Sequence, residues 1–309
     1  MAAAPADVPA KDVPSPGPGW QLAWADEFDG SAIDPAKWTL ADDCWGGGNE
    51  ERQCYTTAAA NAGISAGELH ITARAQRHRG PALPAEQRSS TDRQGKVTRG
   101  FTSARLSTSG KAAWRYGLIE VRARLPEGQG LWPAIWMLPE QDRYGKWAAS
   151  GEIDIMEAVN LGEPCAAGSA GCVTGRERGV LGTLHFGGVN PANRQRGATT
   201  AMPAPFDDFH VYSIEWQPKA IIWRIDGEVY AQQQPGDWST SGSASPTAPF
   251  DQPFHLVINL AVGGHLPEQR NRGGVISQGF PKVMAVDWVR VWQCTGKAPT
   301  GSDCPAIRN

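Results

Sequence analysis

Short runs of alternating apolar and polar residues recur along the chain, each closed by Gly, Pro, Asn or Asp, and no long stretch keeps a 3.6-residue period. Strands are predicted at residues 69–73, 101–107, 117–125, 131–138, 182–186, 210–217, 221–225, 229–233, 253–262 and 283–292, with a first strand beginning at Trp20. Asp226-Gly227 lies between two of these runs and is a type I′ hairpin signal. The total reaches about twelve to fifteen strands, which calls for two large antiparallel sheets stacked face to face. Residues 75–97 are charged and rich in Arg, Gln, Ser and Pro, and are expected to form an exposed loop.

One strand breaks the alternation in an informative way. In Gly151 to Glu157 the side chains of Glu152 and Asp154 share one face, and Ile153 and Ile155 share the other. Strict alternation would send Glu157 to the apolar face, where a lone charge costs several kcal/mol at least. A β-bulge at Ile155-Met156 restores Glu157 to the carboxylate face. The preceding run, from Leu131 to Trp136, places Trp132, Ala134 and Trp136 on one face. The short connection at 139–150 makes the two runs antiparallel neighbours, so two Trp side chains are expected beside three acids.

Composition adjusts this picture in three places. The net charge of −3 gives no electrostatic preference for nucleic acid or for an anionic membrane, and no segment is apolar and long enough to span a bilayer. Thirteen Trp residues are several times the ordinary share, and Trp supplies flat platforms for sugar rings as well as core packing. The six Cys fall into local pairs, Cys44 with Cys54, Cys165 with Cys172 and Cys294 with Cys304. Such pairs fit disulfides in a secreted protein, the alternative being six reduced thiols in a cytosolic chain. Residues 1–19 read as a disordered Pro/Ala-rich segment without the apolar core of a signal peptide, as if a leader had already been removed. The folded unit is expected over 20–294, with 295–309 as a tail.

Three carboxylates in a row repel, so at least one should hold its proton near neutral pH. A carboxylate nucleophile and a carboxylic acid facing one cleft are the minimum apparatus of a retaining glycosidase. A solvated polar face or a cluster of calcium-binding oxygens would use the same residues.

The flanking motifs narrow the choice. They run in order through Trp24-Ala25-Asp26-Glu27-Phe28, Gly48-Asn49-Glu50, Gly117-Leu118-Ile119-Glu120-Val121-Arg122-Ala123 and Gly130-Leu131-Trp132-Pro133-Ala134. Beyond the acidic strand come Gly182-Thr183-Leu184-His185, Ile214-Glu215-Trp216, Asn259-Leu260-Ala261-Val262-Gly263-Gly264 and Val286-Asp287-Trp288-Val289-Arg290-Val291. This sequence resembles the laminarinase-like, endo-β-1,3-glucanase branch of glycoside hydrolase family 16. The resemblance implies an all-β, concanavalin-like jelly-roll sandwich whose concave sheet forms the substrate cleft. It implies Glu152 as nucleophile, Glu157 as acid/base and Asp154 as the residue between them that orients the nucleophile. It further implies Trp132 and Trp136 along the cleft, Asn49 and Arg105 on sugar hydroxyls, and His185 and Asn259 flanking the carboxylates. A structural salt bridge remains open for Arg105, a core position for one Trp, and a structural role for His185 and Asn259.

The implied reaction is retaining endo-hydrolysis of β-1,3-glucan by a secreted monomer that needs no cofactor, with no nucleic-acid or membrane partner. A mixed-linkage glucanase and a non-catalytic β-glucan-binding protein are the alternatives. A structural calcium ion, held by Glu27, Asp287 and a carbonyl near Gly67, belongs to some relatives. Two departures stand out: Cys54 and Phe186 occupy places where the family often has larger aromatics. A Cys44–Cys54 bond would cross-link the loop that carries Asn49.

Overall fold

A computed structural model describes residues 15–88 and 95–294. Two antiparallel sheets hold most of the strand residues. The seven-stranded sheet runs, edge to edge, through Asn193–Ala201, Gly179–Gly187, Glu152–Glu157, Leu131–Pro139, Phe254–Val262, Arg105–Ser107 and Thr39–Leu40. The eight-stranded sheet runs through Glu228–Gln233, Ala220–Ile225, His210–Gln217, Gly117–Arg124, Lys282–Cys294, Glu68–Ala73 and Ala62–Ser65, with Trp20–Asp26 also paired to Lys282–Cys294. Strands far apart in sequence lie side by side, as a jelly roll requires.

Alternation builds the core between these sheets. Ile135, Met137, Ile153, Leu184, Leu256, Ile258 and Leu260 point inward from one sheet, and Ile119, Val121, Ile214, Trp223, Val289 and Val291 meet them from the other. Each such side chain, fully buried, contributes about 1.5–3 kcal/mol. Eight of the thirteen Trp residues are buried, which leaves Trp45, Trp132, Trp136, Trp147 and Trp288 to reach the surface. Most of the Trp excess is therefore core packing. Asp226 and Gly227 both take positive φ, 52° and 85°, as the I′ turn demands.

Two expectations need correction. The stretch 75–97 is not simply a loop: His78–Pro81 pairs with Lys96–Arg99, the residues 89–94 between them lying outside the described set. Its polar composition conceals the pairing because no apolar face marks it. The edge strand Asn193–Ala201 escaped prediction for the same reason, since none of its residues is buried and most are solvent-exposed. Charged edges of this kind also protect a sheet from pairing with another chain.

Cys44–Cys54 and Cys165–Cys172 are disulfides. Cys304, the expected partner of Cys294, lies outside the described residues, as do residues 1–14 and the rest of the segment 295–309. Among the described residues no helix is long and apolar enough to cross a membrane. A non-reduced proteolytic digest should yield linked peptides for 44–54 and 165–172. Replacing Cys44 and Cys54 together by Ala should lower unfolding stability by roughly 2–3 kcal/mol, through the freedom returned to the unfolded chain. Urea denaturation measures this, and an unchanged midpoint would show that the cross-link restrains nothing.

Candidate active site

The Glu152–Glu157 strand carries the expected bulge. Against Leu131–Pro139, Met156 pairs with Ile135 and Asp154 with Trp136, so Ile155 is the extra residue. The other neighbour, Gly179–Gly187, shows the same slip between Asp154 and Glu157. Ile155 and Met156 both point into the core, 1% and 0% exposed, and this double inward step returns Glu157 to the outer face. Glu152, Asp154 and Glu157 thus line one face, with His185 on the adjacent strand directly across from Glu152.

Indole and imidazole nitrogens surround the row. Trp132 Nε1 donates to Glu157 Oε1 at 2.9 Å, and Trp147 Nε1 donates to Glu152 Oε2 at 2.9 Å. His185 Nε2 lies 3.1 Å from Asp154 Oδ2 and 3.7 Å from Glu152 Oε1. Trp136 Nε1 donates to Asn259 Oδ1 at 2.7 Å, and the Arg105 guanidinium sits over the Trp136 ring, 5.0 Å from its centroid. Arg105 therefore stacks on an aromatic instead of entering the salt bridge left open for it. Asn49 is set on the rim, where its amide approaches Glu51 Oε1 at 3.3 Å and its carbonyl accepts from the His265 backbone N–H.

The sequence prediction missed Trp147. Its ring is 40% exposed on the loop before the acidic strand and lies 5.7 Å from the His185 ring. A lone Trp five residues ahead of Glu152, in a loop of otherwise polar and small residues, was the available signal.

Burial and mutual repulsion set the charges. Burial first, then the Asp154 charge, pushes Glu152 up to about 7 against the opposing pull of His185. Glu157 rises further, to about 8, from burial, Asp154 and Glu152, again against His185. Burial opposes the His185 imidazolium, yet the Asp154 hydrogen bond and the three carboxylate charges outweigh it and raise His185 to about 9. At neutral pH the site holds a cationic imidazole on Asp154 and a proton that favours Glu157.

Glu152, Asp154 and His185 are close enough to hold a metal ion, their ligand atoms lying within 4.8 Å of one another. A hard cation needs six or more oxygens, and here the imidazolium already supplies the positive charge. The expected calcium set fits less well. Both oxygens of Glu27 face Arg290, at 2.8 and 2.9 Å, and Asp287 is paired with Arg122. Gly67 occupies the turn between Ala62–Ser65 and Glu68–Ala73. Two guanidinium groups stand where a cation would need free carboxylate oxygens.

A two-sheet sandwich with a bulged row of acids, indole donors on both outer carboxyls and Trp136 alongside defines a glycosidase-type carbohydrate site. The chain belongs to family 16 of the glycosyl hydrolases, whose family description matches residues 51–290. It is 42% identical over 282 residues to a beta-glucanase of Rhodothermus marinus, covering 89% of this chain and 86% of that protein. It is 36% identical to a glucan endo-1,3-beta-glucosidase of Cryptopygus antarcticus, covering 88% and 92%. The X-ray structure of the laminarinase from Rhodothermus marinus superposes with a TM-score of 0.71 at 39% identity, over 90% of this chain and 98% of that one.

The charge arrangement makes a direct prediction. Replacing His185 by Gln removes the group that pulls both outer carboxyls down, so the midpoints of Glu152 and Glu157 should both move to higher pH. Carboxyl ¹³C NMR titration reads this, and midpoints that stay or fall contradict the assigned electrostatics.

Proposed function

We propose that this protein hydrolyses internal β-1,3-glucosidic bonds of laminarin-type glucans with retention of anomeric configuration. The observation that supports this most is the bulged carboxylate row, which sets two carboxyls on one face, both raised above the ordinary carboxylate range by burial and by Asp154. In this reading Glu152, beside His185, is the nucleophile. Glu157, held by the Trp132 indole, is the acid/base.

The first step breaks the bond between the anomeric carbon and the leaving oxygen. A Glu152 oxygen attacks that carbon as the Glu157 proton passes to the departing sugar, giving a covalent glycosyl-enzyme and a Glu157 carboxylate. In the second step Glu157 takes a proton from water, whose oxygen attacks the same carbon and releases Glu152. An indole N–H can only donate, so Trp132 fixes one oxygen of Glu157 as acceptor and leaves the other for the proton. Trp147 and His185 hold Glu152 as a carboxylate, and Asp154 keeps the imidazolium in place.

Trp132 and Trp136 are the aromatic floor for glucosyl rings, with Asn49, Arg105, Asn259 and His185 as hydrogen-bonding groups along it. The catalytic unit is residues 20–294. It acts on polysaccharide outside the cell, as a monomer without a cofactor, and the two disulfides among the described residues, Cys44–Cys54 and Cys165–Cys172, fit that setting. Calcium has no place in this reading because arginines hold Glu27 and Asp287.

Reducing-sugar release should be fastest from laminarin, slower from mixed-linkage glucan and absent from cellulose. Preference for mixed-linkage glucan would favour the second reading, and preference for agarose would sink both.

The roles are tested separately. Glu157→Ala should lower polysaccharide cleavage by about 10²–10⁴-fold. It should still form the glycosyl-enzyme from an aryl glycoside with a good leaving group, and added azide should then release a β-glycosyl azide. Glu152→Ala with azide should give only the α product. The opposite pattern would exchange the two roles, and full activity in both variants would end the assignment of catalysis to this carboxylate row.

A further inference from the structure

The bulge that brings Glu157 onto the outer face has a partner in the opposite sheet. Trp223, on the Ala220–Ile225 strand, is 0% exposed, and its Nε1 donates across the sandwich to the Asp154 carbonyl at 2.8 Å. That carbonyl sits where the strand's register slips by one residue against both neighbours. Bulges disrupt the local ladder, so a backbone acceptor there needs a donor from elsewhere. The indole supplies one.

Room for the indole comes from a single missing side chain. Gly182 lies on the neighbouring strand opposite the bulge, between Leu181, which pairs with Glu157, and Thr183, which pairs with Asp154. A Cβ on Gly182 would stand 2.4 Å from Trp223 Cδ1, 2.7 Å from its Nε1 and 2.6 Å from the Tyr230 hydroxyl. All three distances are shorter than side chains tolerate, so only glycine lets the indole reach the strand. The φ of Gly182 is not in the left-handed region, so the requirement is one of space.

We propose that Trp223, seated against Gly182, is a positioning residue for the acid/base: its N–H bond to the Asp154 carbonyl fixes the bulge and thereby the placement of Glu157 relative to Glu152. The residues on the two sides of the bulge are held differently. Glu152 has Trp147 and His185 as anchors before the bulge, whereas Glu157 follows the bulge and has Trp132 alone. Loosening the bulge therefore moves the acid more than the nucleophile.

This inference rests on the catalytic reading above and is tested so that the two can fail separately. Trp223→Phe keeps an aromatic ring but removes the N–H and part of the indole's volume; Gly182→Ala keeps Trp223 and removes its seat. For each, kcat on laminarin should fall about 10- to 100-fold with little change in KM, the scale expected for a misplaced catalytic group. An aryl β-glucoside with a good leaving group needs no proton in its first step, so its kcat/KM should stay within about threefold of the parent protein. Equal loss on both substrates would make the role purely structural, and unchanged laminarin turnover in both variants would remove it.

Should the parent protein leave laminarin intact, the catalytic reading fails while the positioning claim is still decided by titration. Glu157 is faced by Glu152 and Asp154 on its own strand, His185 on the next, Trp132 on the other side and Tyr230 from the opposite sheet. Movement away from Asp154 and Glu152 should lower its midpoint toward the ordinary carboxylate range in Trp223→Phe. An unmoved midpoint overturns the proposal.

Discussion

Everything in this site depends on one extra residue in one strand. With regular alternation Glu157 would point between the sheets, into the apolar core that holds Ile155 and Met156. An unpaired carboxylate there would cost several kcal/mol or stay neutral for good. The slip at Ile155 instead sends two apolar side chains inward in succession and turns the acid outward. The hydrophobic effect thus selects the bulge: Met156, which strict alternation would leave on the carboxylate face, gains a buried place next to Ile155, and the carboxylate keeps its access to water and substrate. A chemical requirement for three acids on one face is met by the force that makes the core.

The same compactness then sets the protonation states. Three carboxyls in so small a space repel one another, and burial raises Glu152 and Glu157 further. The imidazolium of His185 relieves Asp154 most directly and Glu152 next, by distance: 3.1 Å against 3.7 Å. Glu157 hydrogen-bonds the neutral Trp132 indole and feels His185 only through space, whereas Glu152 has His185 closer and Arg105 besides. The asymmetry between nucleophile and acid follows from where these cations stand.

Much of this was legible in the sequence because it rests on parity. The spacing of Glu152, Asp154 and Glu157 among Ile153 and Ile155 leaves a bulge as the economical solution, and alternation located most central strands. What escaped has a physical reason in each case. Asn193–Ala201 and the His78–Pro81 with Lys96–Arg99 pair present no apolar face, so their pairing is a backbone matter that side-chain patterning does not record. The Trp count pointed toward sugars, yet eight of these residues are buried, because Trp serves a large sandwich core equally well. Trp147 and Trp223 act through contacts set by loop and sheet-to-sheet geometry, which residue type and spacing do not encode.

Gly182 links the local strand to the packing across the sandwich. Read along its own strand, a glycine among Leu181, Thr183 and Leu184 weakens β structure by leaving backbone freedom and no side chain to pack. Seen across the sandwich it is the one residue type that admits an indole to the slipped strand. The local cost is offset by burying Trp223 completely and giving the Asp154 carbonyl a donor at 2.8 Å. The carboxylate row is therefore held from two directions, by Trp132, Trp147 and His185 on its outer face and by Trp223 from within. Packing and catalysis meet at this strand because its inward face belongs to the core while its outward face carries the acids.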